Sequence, residues 1–83
     1  AVNLALRLMF LGRLEDAAGG AEREVPVTGS VEGVLRALEP DLAAALRADN
    51  VKLAVNGVLI SGVEGLILHD GDELAFLPPV SGG

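Results

Sequence analysis

Cysteine, tryptophan and tyrosine are all absent from this chain of 83 residues. Without thiols it holds no disulfide framework, no thiolate nucleophile and no thiolate metal ligand, a usage that suits the reducing cytosol. Aromatics are reduced to Phe10 and Phe76, so any core is built from Leu, Val and Ala. Positive charge is scarce as well: six basic side chains face twelve acidic ones, for a net charge of -6. That balance is opposite in sign to what a phosphate-backbone binder needs, and no nucleic acid is expected as a direct ligand. It suits either docking on a basic cleft of a partner protein or simple solubility. Long hydrophobic runs are missing too. The stretch from Leu4 to Leu11 is interrupted by Arg7 and falls well short of the roughly 20 residues of a membrane span. The first residues lack the basic region and cleavage pattern of a signal peptide, so the expectation is a soluble, cytoplasmic domain with no membrane partner.

Signatures of chemistry are equally sparse. There is no glycine-rich phosphate loop ending in Lys-Ser or Lys-Thr, no Gly-x-Ser-x-Gly and no metal-ligand cluster, so no metal site is expected. The lone His69 stands beside a turn and reads as a surface turn residue. Asp70, Asp72 and Glu73 do not match a calcium loop, whose acids alternate over a longer stretch; they serve either the tight turn itself or a contact with a basic partner. Ser30 reads as a helix cap, and Ser81, with no base near it in sequence, as a hydrogen-bonding tail residue.

What is present is 51% hydrophobic content in a length that allows one small domain and a single core. Val2, Leu4, Leu6 and Leu8 alternate with Asn3, Ala5, Arg7 and Met9, which predicts a strand over 2–10. Gly12 to Ala18 reads as a short helix closed by Gly19 and Gly20. A second strand over 21–27 carries Pro26, which places it at a sheet edge or puts its end near a bulge. Ser30 caps a helix whose Val31, Val34, Leu35 and Leu38 recur three and four apart, with Gly33 reading as a site of close packing on a sheet. Pro40 ends or restarts this helix, and Leu42, Ala45 and Leu46 share one face of the following turns. Val51 to Val55 and Val58 to Ile60 flank Asn56-Gly57, a strong hairpin signal; Leu66 to Leu68 is a short apolar segment, and Glu73 to Leu77 the last strand. This order predicts an α+β fold, a sheet of four to five strands with helices on one face.

After Leu77 come Pro78, Pro79, Val80, Ser81, Gly82 and Gly83. The prolines remove backbone donors and hold the chain extended, so the strand cannot go on pairing and a tail projects. The glycines have no side chains, which lets a terminal carboxylate on Gly83 thread a narrow channel toward an attacking group in another protein. The domain is thus read as 1–77 and the flexible tail as 78–83. Alternation puts Leu74 and Phe76 toward the core, with Ala75 and Leu77 facing away beside the tail. Leu11 and Leu59 either complete the core or join Leu77 in an exposed apolar patch for docking partner enzymes.

The run from His69 through Asp-Gly-Asp-Glu and the apolar strand to Pro-Pro-Val-Ser-Gly-Gly resembles the ubiquitin-like β-grasp sulfur carriers, in particular the molybdopterin synthase small-subunit family. Ala54, Val55 and Asn56 before the hairpin, and Met9 to Leu14 with Gly19 closing the first helix, extend the likeness along the chain. The resemblance implies a mixed β-grasp sheet and a carrier that binds no cofactor and is not an enzyme by itself. It implies that an adenylating, E1-like partner uses ATP to activate the Gly83 carboxylate, and that a sulfur donor replaces AMP to leave a thiocarboxylate. The large synthase subunit would then accept the tail, in a heterotetramer of paired small and large subunits, and pass the sulfur to cyclic pyranopterin monophosphate. Thiazole-forming and transfer-RNA-thiolating carriers, and ubiquitin-like protein modifiers, share the fold and the Gly-Gly end.

Overall fold

The computed structural model describes residues 4–79, so Val2, Asn3 and the tail residues Val80, Ser81, Gly82 and Gly83 lie outside the described residues. Five strands, β1 (Ala5–Phe10), β2 (Glu22–Pro26), β3 (Lys52–Val55), β4 (Val58–Ile60) and β5 (Glu73–Leu77), form one sheet in the order β2-β1-β5-β3-β4. The pairing of β1 with β5 is parallel and the other three pairings are antiparallel. Helices α1 (Leu14–Ala18), α2 (Val31–Arg36) and α3 (Pro40–Leu46) supply the apolar side chains that close the core. The sheet is thus mixed, with its two terminal strands side by side at the centre.

Period-two alternation explains the strands. Leu6, Leu8 and Phe10 of β1 face Leu74 and Phe76 of β5 on one side of the sheet, all buried. The chain's two phenylalanines meet there, with ring centroids 5.7 Å apart and planes 9° from parallel. Such an offset stack adds about 0.5 to 1.5 kcal/mol to the burial of the rings. Val31, Val34, Leu35, Leu38, Leu42, Ala43 and Leu46 pack onto that face. Ala43, not the expected Ala45, is the buried alanine of α3. Leu66 to Leu68 forms no strand; Leu68 is buried and its N–H donates to the Gly29 carbonyl at 2.9 Å, so this segment ties a loop down rather than extending the sheet.

Local chemistry sets the helix ends. Gly19 closes α1 at φ 79°, a left-handed conformation that side chains resist. Ser30 Oγ accepts the Gly33 N–H at 3.0 Å, and Pro40 restarts the chain as the first residue of α3. Glu32 of α2 takes both Arg47 nitrogens at 2.6 and 2.9 Å and Arg36 at 3.1 Å, linking α2 to the end of α3. The Arg47 hydrogen bond, then that of Arg36, lowers the Glu32 carboxyl to about 2. The sheet edges differ. β2 carries Glu22, Arg23, Glu24 and a terminal Pro26, whereas β4 presents only Val58, Leu59 and Ile60.

Gly33 does not pack on the sheet as its position in the helix suggests. A Cβ there would sit 2.8 Å from Thr28 Oγ1 and 2.9 Å from Thr28 Cβ, so the close approach is to the loop that delivers the cap. Helix propensity alone favours Gly33→Ala by about 1 kcal/mol. The geometry predicts the opposite sign: Gly33→Ala lowers the thermal midpoint because the new methyl displaces Thr28, and adding Thr28→Ala recovers part of the loss. Thermal unfolding of the single and double variants checks this.

Candidate functional site

The tail leaves from the end of β5, which lies between β1 and β3 and is held on both sides. Leu77 pairs with Lys52 of β3, while the Leu11 N–H donates to the Phe76 carbonyl at 3.1 Å, carrying the parallel ladder one residue past β1. Pro78 then lies against Gly12. Gly12 has φ +56°, and a Cβ on it would come within 2.8 Å of Pro78 Cγ, so a bare α-carbon lets the proline ring settle on the body. Pro79 walls a depression of about 250 Å³ whose other sides are Arg13, Leu14, Ala17, Ala45, Ala48, Asn50 and Val51. Pro78 and Pro79 are therefore half-buried, and the root of the tail rests against the body in this structure.

The sheet face away from the helices carries the three leucines singled out in sequence. Register places Met9, Ala75, Ala54 and Leu59 in one row across β1, β5, β3 and β4. Leu77 stands in the next row beside Lys52, with Leu11 next to it at the strand end. Leu59 is 65% exposed and Leu11 41% exposed, and neither belongs to the core. Alternation placed Ala75 on this face in the sequence, but sequence reasoning passed over Met9 and Ala54, although alternation with Leu8 and Leu53 assigns them to it as well. The alanines matter because small side chains leave the row flat. On the far side the same face turns polar, with Arg7 between Glu24 and Glu73 in register and Arg7 Nε 3.6 Å from Glu22 Oε1.

At the other end of β5 the acidic turn is occupied internally. Asp70 Oδ1 accepts the Ala5 N–H at 2.9 Å, and Asp72 Oδ2 accepts the His69 N–H at 2.8 Å. Asp72 Oδ1 also accepts the Asn56 side-chain amide at 3.0 Å, and Asn56 Oδ1 accepts the Glu73 N–H at 2.9 Å. Asn56 sits at φ 50°, the first residue of the Asn-Gly turn. Of the two readings of this turn, tight-turn chemistry is the one these bonds support: the Asp70 and Asp72 carboxylates clamp the start of β1, the β3–β4 hairpin and the start of β5. His69 is an exposed turn residue with Nδ1 3.8 Å from Asp72 Oδ2. No local pattern announces the Asn56–Asp72 link, because it joins residues far apart in the chain.

The hydrogen bond from Asn56, and then that from the His69 backbone, hold the Asp72 carboxyl below its ordinary value. A carboxyl depressed by folding contributes stability above its unfolded pKa of about 3.9, and the contribution fades as pH falls through the lower folded value. Asp72→Ala is accordingly expected to lower the thermal midpoint at neutral pH, with the gap to the unsubstituted chain closing below about pH 4. Melting curves of both proteins across that range decide it.

The sequence profile of the ThiS family matches residues 8–83. The molybdopterin synthase sulfur carrier subunit of Escherichia coli (strain K12) is 32% identical over 82 residues, spanning 94% of this chain and 99% of that one. The crystal structure of small archaeal modifier protein 1 from Haloferax volcanii superposes with a TM-score of 0.78 at 30% identity, over 95% of this chain and 99% of that one. Subunit 1 or 2 in the complex of molybdopterin-converting factor from Helicobacter pylori 26695 matches in fold, with a TM-score of 0.68 at 22% identity over 96% of this chain and 100% of that one. Among the described residues no helix is long and apolar enough to cross a membrane. A parallel β1–β5 centre, helices on one face, a Pro-Pro exit from the last strand and a profile match over nearly the whole length converge: the chain belongs to the ThiS family and is a small sulfur carrier of the ubiquitin-like β-grasp fold.

Proposed function

We propose that this carrier is the sulfur-donating small subunit of a molybdopterin synthase. The observation that carries the reading is the 32% identity with the Escherichia coli subunit across nearly the full length of both chains. In this reading the Gly83 carboxylate attacks the α-phosphorus of ATP on an adenylating, E1-like partner, pyrophosphate leaves, and the carboxylate becomes an acyl-adenylate. A sulfur donor then displaces AMP and leaves a thiocarboxylate. The large synthase subunit takes Pro78 to Gly83 into its channel, and the sulfur passes to cyclic pyranopterin monophosphate. Two such transfers complete the dithiolene, so charged and spent carriers exchange. The chain brings no catalytic group of its own and no bound cofactor; ATP is the partner's substrate. The absence of cysteine suits this work, since no internal thiol attacks the activated acyl group.

The row of Met9, Ala75, Ala54 and Leu59 with Leu11 and Leu77 supplies the docking face in the same reading, and the cytosol its setting. The solved structure of a small archaeal modifier protein at 30% identity favours a second reading, in which Gly83 is joined to lysines of target proteins. Intact-mass analysis of the protein from its own cells separates them. A gain of about 16 Da at Gly83, oxygen exchanged for sulfur, is expected for the carrier. An unmodified Gly83 together with lysine-linked adducts would instead establish the modifier. Leu77→Glu is expected to keep the fold and lower the rate of sulfur transfer at least about tenfold, since it places an acid in an apolar contact; transfer at the unsubstituted rate would remove the open face from the docking surface.

A further inference from the structure

Residues 80–83 follow Pro79, and at about 3.5 Å each they span at most about 14 Å when fully extended. Granted the proposed reactivity of Gly83, a protein that draws this residue into its own site has to close on the body near Pro79. The feature waiting there is the depression between α1 and α3. Buried Leu14, half-buried Val51 and Ala45, and exposed Ala17 and Ala48 line it, and the exposed Arg13 and Asn50 are its polar members. Its volume of about 250 Å³ gives room for one large aliphatic or aromatic side chain.

Of the six basic side chains, Arg13 and Lys52 are the two with no ion pair among the described residues, and of these Arg13 is the one that lines the depression. Arg7 lies by Glu22, Arg23 by Glu39, and Arg36 and Arg47 by Glu32, whereas Arg13 has no carboxylate within ion-pair distance among the described residues. In a chain of net charge -6 this leaves a positive group unmatched beside the tail root. An apolar hollow with a cation on its rim selects an apolar side chain flanked by a carboxylate.

We propose that the α1–α3 depression is a second docking contact, separate from the open sheet face, for the protein that receives the tail: the partner seats an apolar side chain against Ala17, Ala45 and Ala48 and sets a carboxylate against Arg13. This local chemistry is opposite in sign to the acidic character of the chain, so it discriminates among partners that all recognise the same open face.

The test titrates the full chain with the large subunit of molybdopterin synthase from the same cells, following binding by calorimetry and the state of Gly83 by intact mass. Arg13→Glu is expected to weaken binding at least about tenfold at low salt, with a smaller loss at about 0.5 M salt and recovery in Arg13→Lys. Ala48→Asp, which sets an acid at an exposed wall of the hollow, is expected to weaken binding at least about tenfold with no change in thermal midpoint. Unsubstituted affinity in both Arg13→Glu and Ala48→Asp overturns the proposal, as does a wild-type chain that fails to bind. A chain whose Gly83 never gains sulfur but whose binding still depends on Arg13 keeps the docking contact and removes the carrier chemistry.

Discussion

Parallel pairing of β1 with β5 is the constraint on which the rest of this molecule depends. It joins the two ends of the described chain at the centre of the sheet, through Leu8 beside Leu74 and Phe10 beside Phe76. Contacts so distant in sequence carry the largest loop-closure cost, and the fold places its most completely buried side chains where that cost falls. Every feature near the tail follows from this pairing. Leu11 reaches Phe76 because β1 runs alongside β5, and Gly12 meets Pro78 because both strands end at the same level.

Charge is organised in two ways on this small acidic body. Glu32, Glu39 and Asp72 are all held below ordinary carboxylate values by partners inside the chain, chiefly Arg47 for Glu32, Arg23 for Glu39 and Asn56 for Asp72. Exposed pairs of this kind contribute little each, and their use is to fix the relative positions of helices and turns. The clamp at the acidic turn and the proline seat lie at opposite ends of β5. One anchors where the last strand begins, and the other where it stops.

Much of this was legible in the sequence. Alternation in β1 and β5, the Ser30 cap, Gly19, Pro40 and Asn-Gly each reports a short-range rule, and each element formed near where its rule placed it, although β1 starts at Ala5 and leaves the expected strand residue Leu4 outside it and exposed. Pro26 closes an edge strand, as its missing N–H requires. The misses were all tertiary. Ala43 rather than Ala45 is the alanine that α3 buries, and Gly33 answers to Thr28, whose approach no periodicity encodes. The same limit applied to the site: the leucines were visible because large apolar residues stand out, while joining Met9, Ala75 and Ala54 to Leu59 in one row needed a register, and Gly12 needed the fold. The roles of Val80 to Gly83 rest on sequence, because those residues lie outside the described structure.

The unequal sheet edges bear on how the protein behaves at high concentration. At β2 the charged side chains and Pro26 reject a further strand locally, but between Gly57 and Val63 no residue is charged, and Val58 and Leu59 are each 65% exposed. Copies of this chain are then kept apart at β4 by a remote guard, the mutual repulsion of two bodies of charge -6. That repulsion reaches about 10 Å at 0.1 M ionic strength and about 3 Å at 1 M. Colloidal stability in this fold is therefore a property of the whole charge set and the surrounding salt, and neutralising acids anywhere on its surface exposes the β4 edge to edge-to-edge aggregation.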